Sequence, residues 1–72
     1  MGELANISGK RARKAFLRLG YVMDRQKGSH MILIHESRPT LSLPNHKELA
    51  PALLRGLISK SGFSTEEFLF HL

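Results

Sequence analysis

The 72-residue chain has no cysteine, which rules out a disulfide framework and any thiolate zinc site and leaves packing as its source of stability. A reducing cytoplasm suits such a chain. Long hydrophobic runs are also missing. The longest, Met31 to Ile34, is far short of a bilayer span, and Met1-Gly2-Glu3-Leu4-Ala5-Asn6 lacks the apolar stretch of a secretory leader. The expectation is a soluble, cytoplasmic protein that does not engage a membrane. Acidic residues are scarce, six against eleven Lys and Arg for a net charge of +5, so the natural partner is a polyanion, either nucleic acid or an acidic protein. With no repeat, no low-complexity tract and no linker, residues 1–72 are expected to form one domain. A domain this small buries only ~60% of the surface its unfolded chain exposes.

Periodicity and punctuation order the chain as helix, three strands, helix and a short last helix. Ser8 is placed as an N-cap and Gly20 as the glycine past the helix end. Between them Ala12, Ala15, Phe16 and Leu19 share one face, opposite Lys10, Arg11, Arg13, Lys14 and Arg18. No acidic residue interrupts that cationic stripe, which either solvates the helix or grips nucleic acid; Lys10 and Lys14 are its candidate RNA contacts. Tyr21 to Arg25 reads as a strand, Gln26 to Ser29 as a turn, His30 to His35 as a central strand apolar on both faces, and Thr40 to Leu43 as a third strand ended by Pro44. Pro51 and Gly62 bracket the second helix, whose apolar face carries Leu53, Leu54, Leu57 and Ile58. Ser64 and Glu67 have capping-box spacing, with Phe63 and Phe68 placed as a hydrophobic staple. The fold class is therefore α+β: a three-stranded antiparallel sheet with the helices on one face, in the α-β-β-β-α layout of the double-stranded RNA-binding domain.

The most telling segment is Gly28-Ser29-His30, between Arg25 and Lys27 on one side and the apolar Met31-Ile32-Leu33-Ile34 on the other. A glycine and a small hydroxyl residue let backbone approach a phosphate, nearby cations attract it, and histidine is the side chain that moves protons near neutral pH. That combination suits RNA chemistry. His30 would take the ribose 2′-hydroxyl proton or protonate the leaving oxygen, while Arg25 and Lys27 would stabilise the charge building on the phosphate. Strand alternation alone leaves open whether either cation shares a face with His30. Ser29 lacks the surroundings of a nucleophile, since no Gly-x-Ser-x-Gly elbow is present. His46 with Lys47 is assigned a structural role, with contact to the phosphate backbone as the other use; His35 reads as a partly buried strand residue and His71 as part of the tail. The four histidines form no i, i+4 pair, so no metal site is expected, and no cofactor is called for.

Four blocks carry a family resemblance: Ile7-Ser8-Gly9-Lys10, Arg25-Gln26-Lys27-Gly28-Ser29-His30, Leu43-Pro44-Asn45-His46-Lys47-Glu48-Leu49, and Leu54-Arg55 through Gly62-Phe63-Ser64. In this order and spacing the chain resembles the HicA toxins of bacterial toxin–antitoxin pairs. The resemblance implies a fold of the double-stranded RNA-binding type that cleaves messenger RNA, with His30 as the catalytic histidine. It also implies a partner, a HicB antitoxin, that masks the active site and helps repress the shared operon. Many relatives carry a second histidine after the first, where this chain has Met31; alternation puts that position on the opposite face from His30. Two rivals remain from the residues alone: a non-catalytic RNA-binding module using the basic helix and turn, and a basic docking surface for an acidic protein.

Overall fold

Residues 4–72 are described in the structure, a computed structural model; Met1, Gly2 and Glu3, with which the leader reading begins, lie outside the described residues. The elements run α1 (Gly9–Arg18), β1 (Val22–Lys27), β2 (His30–Ile34), β3 (Leu41–Pro44), α2 (Pro51–Ser61) and α3 (Thr65–Phe70). The strands form one antiparallel sheet in the order β1-β2-β3, which makes β2 central, as its two apolar faces predicted. This is the expected α-β-β-β-α topology, matching the double-stranded RNA-binding type.

Local chemistry sets the helix limits. The Ser8 hydroxyl accepts the amide of Arg11, and Gly20 follows the end of α1 at φ 103°, so both ends of the helix are capped as the sequence indicates. Pro51 opens α2 and Gly62, left-handed at φ 86°, closes it. At α3 the Ser64 hydroxyl accepts the amide of Glu67 while the Glu67 carboxylate accepts that of Ser64, a complete capping box.

All three helices share one core with one face of the sheet. Met31 and Leu33 of β2 and Leu41 and Leu43 of β3 meet Ala12, Ala15 and Phe16 of α1, Leu54 and Ile58 of α2, and Phe68 of α3. Burying each of the larger side chains contributes roughly 1.5–3 kcal/mol. The Phe16 ring lies 5.0 Å from Phe68 and meets Tyr21 edge-on at 5.6 Å, so α3 closes the core from the α1 side. The opposite face of the sheet carries no helix. There Val22 is 59% and Ile34 40% exposed, and His30 is exposed on the same face at the other end of β2.

The β1–β2 hairpin is tighter than the sequence suggests. Lys27 pairs with His30, so the loop is only Gly28-Ser29, and the strand continues through Gln26 and Lys27. Gly28 has φ 62° and Ser29 is not among the positive-φ residues, the pattern of a type II′ turn with glycine first. Gln26 and Lys27 read as turn because they are polar. On an edge strand with one face in water, polarity does not end the pairing.

Candidate functional site

His30 is the first residue of β2 and sits on the open face, one backbone reversal from Lys27. Residues directly opposite in an antiparallel pair share a face, so the Lys27 side chain emerges beside the imidazole. Arg25 joins them because of an irregularity in β1. Pairing runs Met23 to Leu33 and then Arg25 to Ile32, with Asp24 as the extra residue of a bulge. Strict alternation from Met23 would have put Arg25 on the core face; the bulge returns it to the face of Ile32 and His30. The question that strand alternation left open is thus decided by one inserted residue. Among the described residues Arg25 forms an ion pair only with Asp24, at 4.0 Å between exposed side chains, a pair too weak to withdraw the guanidinium from a ligand. The Gln26 side-chain amide donates to the Gly28 carbonyl at 3.1 Å and braces the turn.

The cations of α1 divide into two groups. Arg11 donates to the Asn6 carbonyl at 3.4 Å, Arg13 lies 3.7 Å from the Met31 sulfur, and Arg18 donates to the His71 carbonyl at 2.7 Å. These three are engaged in holding the fold together. Lys10 and Lys14, one turn apart and exposed, have no hydrogen bond or ion pair among the described residues. Met31 is fully buried on the face opposite His30, as alternation required.

A third group of residues, drawn from the start of α1, the hairpin turn and the segment after β3, comes together although the sequence keeps them apart. The Asn45 amide donates to the Ser29 carbonyl at 2.7 Å, the Gly9 amide to the His46 carbonyl at 2.9 Å, and the Leu49 amide to the Ile7 carbonyl at 2.8 Å. These bonds stitch the segment after β3 to the hairpin turn on one side and to the start of α1 on the other. Gly9 is required there, because a Cβ would overlap the Pro44 carbonyl oxygen. Between the stitched segments lies an open cleft of about 360 Å³ lined by Ser8, Lys10, Asn45, His46 and Lys47. The His46 carbonyl holds the start of α1 in place, and His46 is one of the residues that line the cleft. Sequence reading did not link Ser8 and Lys10 to Asn45 and Lys47. The only trace was that both blocks pair a basic residue with a small polar one.

The remaining histidines lie elsewhere. His35, just past β2 and half-buried, packs edge-on against Tyr21 at 4.9 Å, and its Nδ1 accepts the Ser37 amide at 3.1 Å. His71 caps the end of α3. Among the described residues no three His, Asp or Glu side chains converge as a metal site requires, and no helix is long and apolar enough to cross a membrane.

Fold and surface together define a small basic domain of the double-stranded RNA-binding type, with an exposed histidine and two cations on the sheet face its helices leave bare. The family model described as the HicA toxin of bacterial toxin–antitoxin pairs matches residues 9–63, a stretch that holds α1, the whole sheet, the cleft-lining loop and α2. The chain belongs to the HicA toxin family, as its four sequence blocks indicated. Among curated proteins and among solved structures nothing matches it.

Proposed function

We propose that this protein is the toxin of a type II toxin–antitoxin pair and acts as a metal-independent endoribonuclease on messenger RNA, with His30 as its acid–base group. The observation that carries this reading is the exposed imidazole on the open sheet face, with Lys27 directly across the hairpin and Arg25 turned to the same side. Family membership supports the toxin role. In the reaction a proton leaves the ribose 2′-hydroxyl, the 2′-oxygen attacks the adjacent phosphorus, and the bond to the 5′-oxygen breaks as that oxygen gains a proton. The products are a 2′,3′-cyclic phosphate and a 5′-hydroxyl, and DNA resists for want of the attacking oxygen. His30 handles one of the two protons. Lys27 and Arg25 neutralise the charge accumulating on the phosphate, the Gly28-Ser29 turn lets the strand come close, and Lys10 and Lys14 hold it further along. The same open face would receive the HicB-type antitoxin, since the exposed Val22 and Ile34, on that face at the far end of the hairpin from His30, offer apolar contact area.

The test is incubation of single-stranded RNA with the protein in the presence of a chelator, with and without His30→Ala. Cutting that requires His30 supports the reading. Binding without cutting would replace it with a non-catalytic RNA-binding module, and RNA left both unbound and uncut would replace it with a protein-docking surface.

A further inference from the structure

We infer that the cleft between the start of α1 and the 45–47 segment is a phosphate subsite, which takes a neighbouring backbone phosphodiester of the RNA strand that His30 acts on. The inference rests on the nuclease reading and extends its site beyond the hairpin. All five lining residues, Ser8, Lys10, Asn45, His46 and Lys47, are polar or basic. Glu48 follows Lys47 in sequence but does not line the cleft, so among the described residues no carboxylate within it competes with an incoming anion. Side chains supply most of the attraction, because of the helix amides nearest the cleft that of Gly9 is taken by the His46 carbonyl and that of Arg11 by the Ser8 hydroxyl.

Placement ties the cleft to the histidine. Pro44 pairs with His30 across the sheet, a Cα separation of about 5 Å, and two residues of extended chain reach at most roughly 7 Å further. The His46 Cα thus lies within roughly 12 Å of the His30 Cα, and the bond from Asn45 to the Ser29 carbonyl keeps the two from moving independently. An RNA strand laid over the Gly28-Ser29 turn passes from one to the other. A partner protein is the poorer fit, because docking proteins seek an apolar anchor. The exposed apolar side chains Val22 and Ile34 lie on the sheet face and are not part of the cleft.

The experiment measures binding of a fluorescent oligoribonucleotide to the His30→Ala protein, with and without His46→Gln and Lys47→Gln together, at several salt concentrations. These changes leave the His46 carbonyl that holds Gly9 in place, and a melting curve identifies any variant that fails to fold. The expected result is a Kd about ten-fold higher, as for loss of one charged contact. The slope of log Kd against log salt should fall by roughly 0.7, and Lys47→Arg should retain binding. A Kd within two-fold of the parent and an unchanged slope, in a variant that melts normally, would overturn the subsite. Cleavage by the wild-type protein, run in parallel, separates the two ideas. If it cuts RNA while the double change leaves binding intact, the subsite falls and the nuclease stands. If it cuts nothing while the double change weakens RNA binding ten-fold, the nuclease falls and the cleft stands as an RNA contact.

Discussion

Replacing Gly9 by alanine would put a methyl group where the structure has only backbone. The added Cβ overlaps the Pro44 carbonyl oxygen, presses on the Asn45 Cα at 3.0 Å and lies 3.2 Å from the His46 amide nitrogen. No flexible side chain can move aside, so either α1 lifts or the 44–46 segment does. Overpacking of this kind costs about 1–3 kcal/mol, and stretching the bond from the Gly9 amide to the His46 carbonyl adds about 0.5–1.5 kcal/mol. The better helix propensity of alanine returns up to about 1 kcal/mol, which leaves a net loss near 2 kcal/mol. For a domain of this size that lowers Tm by roughly 8–16 °C. The control is Gly56→Ala, at an exposed position of α2 where a Cβ meets nothing within 4 Å. Without a clash only propensity acts, and Tm should rise by roughly 4–8 °C. Thermal unfolding followed by circular dichroism reads both. A Gly9→Ala protein as stable as wild type, alongside the expected gain at Gly56, would refute the close seating of α1 on the segment after β3.

Three further outcomes test other parts of the fold. Leu33→Ala, at a side chain with no exposed area at the centre of the sheet, should cost about 2–5 kcal/mol; a domain below about 80 residues rarely has more than that in hand, so the variant should be largely unfolded by circular dichroism at room temperature. The Ser64 amide and hydroxyl hold the Glu67 carboxyl below its usual 4.5, so the stability it contributes is present above that pH and lost as pH falls through the lowered value. Ser64→Ala should cost about 1 kcal/mol at neutral pH, whereas Glu67→Gln, which removes the titrating carboxyl, should flatten the acid limb of a stability–pH curve below the ordinary carboxylate range. Burial raises the Tyr21 hydroxyl above its usual 10.0, with Arg38 opposing, so the unfolded chain loses that proton first and stability drops as pH climbs past 10. Tyr21→Phe removes this alkaline drop, and at neutral pH it forfeits the 2.7 Å bond to the Pro39 carbonyl, worth about 1 kcal/mol.

The features that sequence made legible were those in which one residue type has one structural use. Ser8, Gly20, Pro51, Gly62 and the Ser64–Glu67 pair each act within a single turn of chain, and each marks its helix end in the structure. The alternation of Met31 with Ile32 and of Leu41 with Ser42 likewise survives directly as core face and open face. What depended on distant partners was not legible. The face of Arg25 is decided by the bulge at Asp24, which periodicity cannot locate, and the turn was drawn too long because Gln26 and Lys27 are polar yet paired. The stripe on α1 looked uniform in sequence, whereas Asn6, Met31 and His71 engage its arginines and leave Lys10 and Lys14. The cleft exists only because backbone hydrogen bonds join residues 7–9 to 46–49, and no local pattern announces such bonds.

Proton transfer by His30 at a ribose is tested most directly by an oligodeoxynucleotide carrying a single central ribonucleotide, incubated with chelator and either wild-type protein or His30→Ala. The wild-type protein should cut only on the 3′ side of the lone ribose, leaving a cyclic phosphate, and His30→Ala should slow that cut by about 10²–10⁴-fold while melting as wild type does. Cleavage by His30→Ala within two-fold of the wild-type rate, or cuts between deoxynucleotides, would contradict it.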